Sequence, residues 1–142
     1  MINCLNKRII LKISFLLFIT IQFSFSQDSN FDFKNKNVLI VYGGYPPHQP
    51  KKFAKKVEKW LVKNNAKVTL SESTEIYANA KIMDNTDLII QSITMLNIKR
   101  NELKGLSNAI SNGTGLAGFH GGLADSFRNS TEYQYIVGGQ FV

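Results

Sequence analysis

The chain of 142 residues has one cysteine, two histidines, three prolines and one tryptophan. A single cysteine excludes a disulfide framework and any cysteine-cluster zinc site. Two histidines exclude an all-histidine metal centre. Acidic residues are scarce, 10 against 17 Lys and Arg, which leaves a formal net charge of +7. No uncharged apolar segment reaches the roughly 20 residues that a membrane-spanning helix needs. What is present is a hydrophobic fraction of 44%, 11% of the chain being aromatic. That supports a packed core and excludes a disordered chain, and the length has room for one domain.

The first 26 residues read as an export signal rather than as part of the fold. Lys7, Arg8 and Lys12 form a positive start, and residues 13–21 (ISFLLFITI) an apolar centre. Ser24 and Ser26 place small residues before a cut at Gln27. The alternative is a retained anchor. Cleavage removes Cys4 and three positive charges, so the mature protein has no thiol nucleophile and an ordinary charge. It is then expected in a secreted or periplasmic location, with no stable membrane span. Nucleic-acid binding loses its main electrostatic support. Residues 27–36 read as a linker, and residues 37–142 as the domain.

The domain alternates strands and helices. Residues 38–42 (VLIVY) are a continuous apolar run, as in a strand buried on both faces of a parallel sheet. Pro50 suits the first position of a helix that runs to about Asn64. Phe53, Val57, Trp60 and Leu61 share its core face, and Lys52, Lys55, Lys56, Lys59 and Lys63 its solvent face. Residues 67–71 are a second strand. Residues 73–84 read as a loop with a helical turn. Residues 87–93 are a third strand, and Asn97 is expected to cap a helix over 98–111. Residues 114–119 are a fourth strand and residues 131–137 a helix. This order gives an α/β fold with a parallel sheet and right-handed crossovers.

In such sheets the site lies beyond the carboxyl ends of the strands. That rule selects residues 43–48, 92–95 and 120–126. Gly113 to Gly118 matches the spacing G-x-G-x-x-G, but these glycines follow a helix and enter a strand. A dinucleotide site needs the reverse order, so the match is rejected. Gly118-Phe119-His120-Gly121-Gly122 has the spacing of a nucleophile elbow, with histidine at the centre. Histidine there is suited to acid–base work, metal ligation or donation to a substrate oxygen. Gly43 and Gly44 permit close backbone approach, Pro46 and Pro47 stiffen their loop, and His48 is expected to face His120. Gly121, Gly122 and Asp125 are expected to contact the ligand. Asp125 and Ser126 otherwise cap the next helix. Ser92 and Thr94 are weaker candidates. Tyr133 and Tyr135 are expected to stack on a ligand or to be at least partly buried. No cofactor is expected, although His48, His120 and Asp125 offer a loose divalent-metal set.

The runs VLIVYGG, DLIIQSITM, NGTGLAGFHGG and YQYIVGGQF resemble the ThuA-like (trehalose utilisation) family. That family belongs to the class I glutamine amidotransferase-like superfamily. The resemblance implies a three-layer flavodoxin-like sandwich. It also implies His120 in place of the amidotransferase cysteine, and hence no glutaminase chemistry. The implied partner is a small-molecule carbohydrate, acted on or simply bound, with the oligomeric state left open. In the family a His-Pro pair and further strands and helices usually follow the GG-x-F segment. The chain is therefore expected to be the N-terminal portion of a longer domain, with an open apolar sheet edge and no assured activity.

Overall fold

The computed structural model describes residues 32–141. The signal segment, Cys4 and the first residues of the linker lie outside the described residues. Four strands form one parallel sheet: β1 (Asn37–Gly44), β2 (Lys67–Ser71), β3 (Leu88–Thr94) and β4 (Gly115–Gly118). Their spatial order is β2-β1-β3-β4. The helices are α1 (Pro50–Lys63), α2 (Ala80–Met83), α3 (Arg100–Ser111), α4 (Gly121–Ala124) and α5 (Thr131–Val137).

β1 shows why the sheet has to be covered twice. Its residues alternate sides, and both sides are apolar. Val38, Ile40 and Tyr42 pack with Ala54 and Leu61 of α1. Leu39 and Val41 pack with Met83, Leu106, Ala109, Phe127 and Tyr133 on the opposite face. Burying each such aliphatic side chain contributes about 1.5–3 kcal/mol. The result is the parallel α/β sheet that the residue pattern predicts, in the three-layer flavodoxin-like sandwich that the family resemblance implies. Among the described residues β4 pairs only with β3. Three of its four residues are small, with Gly115 and Ala117 exposed, while Leu116 packs against the core.

Several local expectations are corrected. β1 and β3 run further than their apolar cores, because Gly43 and Gly44 pair in register with Ile93 and Thr94. Asn97 does not cap α3; Glu102 reaches back to accept from the Lys99 backbone N–H at 3.1 Å. Residues 73–84 make a 3-10 turn (Thr74–Ala78) and then α2, with Ser73 and Asn79 as the two caps. Trp60 is 47% exposed rather than core; its ring meets Phe33 edge-on at 5.6 Å. One expectation holds: Gly113 stands after α3 with φ +103° and leads into β4, so these glycines do follow a helix and enter a strand.

Candidate functional site at the carboxyl ends of the strands

The chain reverses between β4 and α4 within two residues. His120 sits at that turn with φ 49° and ψ −140°. A non-glycine residue there costs about 1–3 kcal/mol, which the surroundings must offset. Those surroundings explain the glycines. A Cβ on Gly118 would lie 2.7 Å from the Gln91 carbonyl oxygen and 2.8 Å from the Leu123 Cβ. One on Gly122 would lie 3.2 Å from the Ser92 Cα, and one on Gly121 3.2 Å from His48 Cε1. The elbow inferred from spacing is therefore present as a strained strand–turn–helix, with an imidazole at its tip.

β1 delivers the second imidazole. Gly44 has φ +81°, and a Cβ there would meet the Thr94 carbonyl oxygen at 1.9 Å. Only glycine lets β1 run this close to the end of β3. Tyr45 then donates its backbone N–H to that same carbonyl at 3.2 Å. A 3-10 turn (Pro46–His48) brings His48 round, with its ring 6.1 Å from that of His120. Both imidazoles are exposed. His48 Nδ1 lies 3.1 Å from Thr94 Oγ1. The Thr94 hydroxyl lies 3.1 Å from the Gly121 carbonyl oxygen and donates to it. A cavity of about 140 Å³ opens between His48, Ser92, Thr94, Phe119, His120 and Gly122. Aromatic rings stand around it: Tyr45 on His48 at 5.1 Å, Phe53 on Phe119 at 4.9 Å and Phe141 on His120 at 4.9 Å.

A polar cluster supports the elbow from below. Gln91, fully buried in β3, accepts from the Tyr77 hydroxyl at 2.7 Å. Its amide donates to Ser126 Oγ at 2.7 Å and lies 2.5 Å from the Tyr133 hydroxyl. Tyr133 in turn donates to the Leu123 carbonyl at 2.8 Å. Burial pushes the Tyr77 phenol well up, and the Tyr133 phenol up to about 12. Both remain neutral donors at any ordinary pH. The sequence did carry a signal for this cluster: one glutamine inside the apolar run LIIQSIT.

The other sequence candidates fall out differently. Asp125 is buried, and its carboxylate is engaged by the Arg128 guanidinium at both oxygens, Nη2 to Oδ2 at 3.0 Å. Neither Asp125 nor Ser126 caps α5; Ser130 does, accepting from the Tyr133 N–H. Among the described residues no three His, Cys, Asp or Glu side chains gather as metal ligands would. Tyr133 is core, whereas Tyr135 is 83% exposed. Ser92 is buried and lines the cavity floor.

The solved structure of a protein described as ThuA-like, from Bacteroides uniformis ATCC 8492, superposes with a TM-score of 0.60 at 18% identity. The match covers 75% of this chain and 44% of that one, so the chain spans less than half of its length. At that identity the likeness establishes the fold. No curated protein matches the sequence significantly. The family profile for ThuA, trehalose utilisation, matches residues 37–142. The described part of that span is the parallel α/β sandwich with its histidine elbow, and the chain belongs to the ThuA family.

Proposed function

We propose that the cleft between His48 and His120 takes a carbohydrate or sugar derivative and performs acid–base chemistry on it, in a protein exported by its N-terminal signal. One observation carries this reading: the elbow holds an imidazole in a strained conformation, 6.1 Å ring to ring from a second imidazole. Strain of this kind clusters at functional sites. Two imidazoles facing one cleft can share the roles of acid and base near neutral pH. Exposed Tyr45 and Phe119 offer apolar ring faces for the C–H side of a sugar. The family description, trehalose utilisation, favours the same ligand class. An imidazole at the elbow forms no thioester, so glutaminase chemistry is not proposed.

A second reading is a binding module without turnover. It is favoured by the openness of the site: both imidazoles are exposed and the cavity between them is about 140 Å³, too small to enclose a sugar and exclude water from it as closed active sites do. Calorimetric titration with a panel of mono- and disaccharides and their oxidised derivatives, with chromatographic detection of products, separates the two. Enzymatic function predicts binding and turnover by the wild type and loss of turnover in H120A. Full turnover by H120A contradicts a catalytic His120. Saturable binding without products favours the binding module, and binding of no sugar contradicts both readings.

A further inference from the structure

We infer that Thr94 is the positioning residue of the cleft. It fixes the His48 proton on Nδ1 and leaves Nε2 as the nitrogen offered to a ligand. This rests on the reading of His48 as a working residue, but its evidence is separate. Thr94 is the last residue of β3 and is 2% exposed. Its hydroxyl stands between two groups, His48 Nδ1 at 3.1 Å and the Gly121 carbonyl oxygen at 3.1 Å. A hydroxyl has one proton to give and can accept besides. A carbonyl oxygen has none, so the proton between Thr94 and Gly121 must come from Thr94. The contact with His48 then has to be supplied by the imidazole, which places the hydrogen on Nδ1. In the neutral ring the lone pair is left on Nε2.

The consequence is chemical. In its neutral form His48 accepts from a ligand O–H or takes its proton. In its charged form Nδ1–H still donates to Thr94, so protonation at Nε2 needs no rearrangement of the support. The same hydroxyl ties the loop after β1 to the elbow after β4, because Gly121 directly follows His120. Second-layer groups commonly set a histidine tautomer in this way. The arrangement favours a ligand that offers a hydroxyl donor to His48 over one that offers a carboxylate, as long as the ring is neutral.

The test is a long-range proton–nitrogen NMR correlation on the full chain labelled with 15N-histidine, recorded where the rings are neutral. Nδ1 of His48 is expected to appear as the protonated nitrogen. T94S should keep that pattern. T94V should lose it, with His48 moving toward the Nε2–H form and sugar affinity or turnover falling about tenfold. An Nε2–H form of His48 in the wild type overturns the inference. So does a T94V spectrum with the His48 tautomer unchanged, and the wild-type spectrum alone decides the matter if T94V fails to fold. An Nδ1–H tautomer together with full activity in H48A contradicts the proposed function while leaving the tautomer assignment standing.

Discussion

The two ends of the sheet hold cavities of opposite character. At the amino ends a cavity of about 770 Å³ is lined by Asp32, Lys36, Asp84, Thr86, Asp87 and Thr114, among others. At the carboxyl ends the cavity is about 140 Å³. Volume favours the first and chemistry the second. Asp87 is already satisfied by the Asn37 N–H at 2.8 Å and by Lys36 Nζ at 3.0 Å. Thr114 is spent on the Thr86 carbonyl at 2.9 Å. These contacts stitch strand starts together. Positive φ occurs at both ends, but at the amino ends it falls on Asn35, Asn65 and Gly113, residue types that tolerate it. At the carboxyl ends Gly44 takes it pressed against the Thr94 carbonyl and His120 takes it with ψ −140°, and two exposed imidazoles are left facing a cleft. A site is marked by strain and unspent chemistry rather than by space.

The largest effect that should separate the ends comes from glycine substitution. Gly44→Ala drives a Cβ into the Thr94 carbonyl and is expected to cost about 3–5 kcal/mol, or to prevent folding. Gly113→Ala, near the amino ends with nothing within 4 Å of its Cβ, bears only the strain of its φ of +103°, about 1–2 kcal/mol. Chemical denaturation of the two variants checks the difference, and equal costs would remove the argument for a tightly built carboxyl end. Next in size is Gln91→Leu. It strands the Tyr77 hydroxyl, takes one donor from the Ser126 and Tyr133 oxygens, and should cost about 2–4 kcal/mol, read in the same denaturation curves.

The same tyrosines make an alkaline prediction. Their folded pKa values lie above the ordinary value of 10, with Tyr133 at about 12. Above pH 10 the unfolded chain therefore holds fewer protons than the folded one, and stability falls as pH rises. Thermal melts between pH 9 and 12 should show this decline, and Y133F should flatten it. His120→Gly reverses the usual sign. Release of the strain should stabilise the fold by about 1 kcal/mol while removing the imidazole. A destabilised H120G would mean that the ring contributes packing, through Phe141, rather than chemistry. The smallest effect belongs to the amino ends. The Asn37 N–H and Lys36 hold Asp87 below the usual carboxylate range. Its contribution is present above about pH 4 and lost as pH falls through the depressed value. Because the pair is partly exposed, Asp87→Asn should cost only a few tenths of a kcal/mol, and it should leave sugar binding untouched.

Much of this was legible from residue order. β2 and α5 fall where the apolar pattern places them, because their ends coincide with polar or glycine punctuation. The elbow was legible because glycines two residues either side of His120 have one steric explanation. Local pattern did not reveal who pays for the turn. Gln91 looked like an interruption in an apolar strand, yet it gathers Tyr77, Ser126 and Tyr133 from distant segments. Asp125 looked like a ligand contact because its partner Arg128 sits three residues on and α4 is too short to recognise. Thr94 ranked low because its importance comes from a histidine 46 residues earlier. Such pairings are set by sheet order, which no local window contains.

Binding is expected at the imidazole end of the sheet. The decisive experiment is titration of the 15N-labelled full chain with the sugars that bind, following backbone and imidazole resonances. Shifts should concentrate at His48, Thr94, His120 and Gly121, with Asp84, Asn112 and Thr114 unmoved. Shifts clustered at those last three residues would instead place the ligand in the larger cavity at the opposite end and exclude the imidazole cleft as the site.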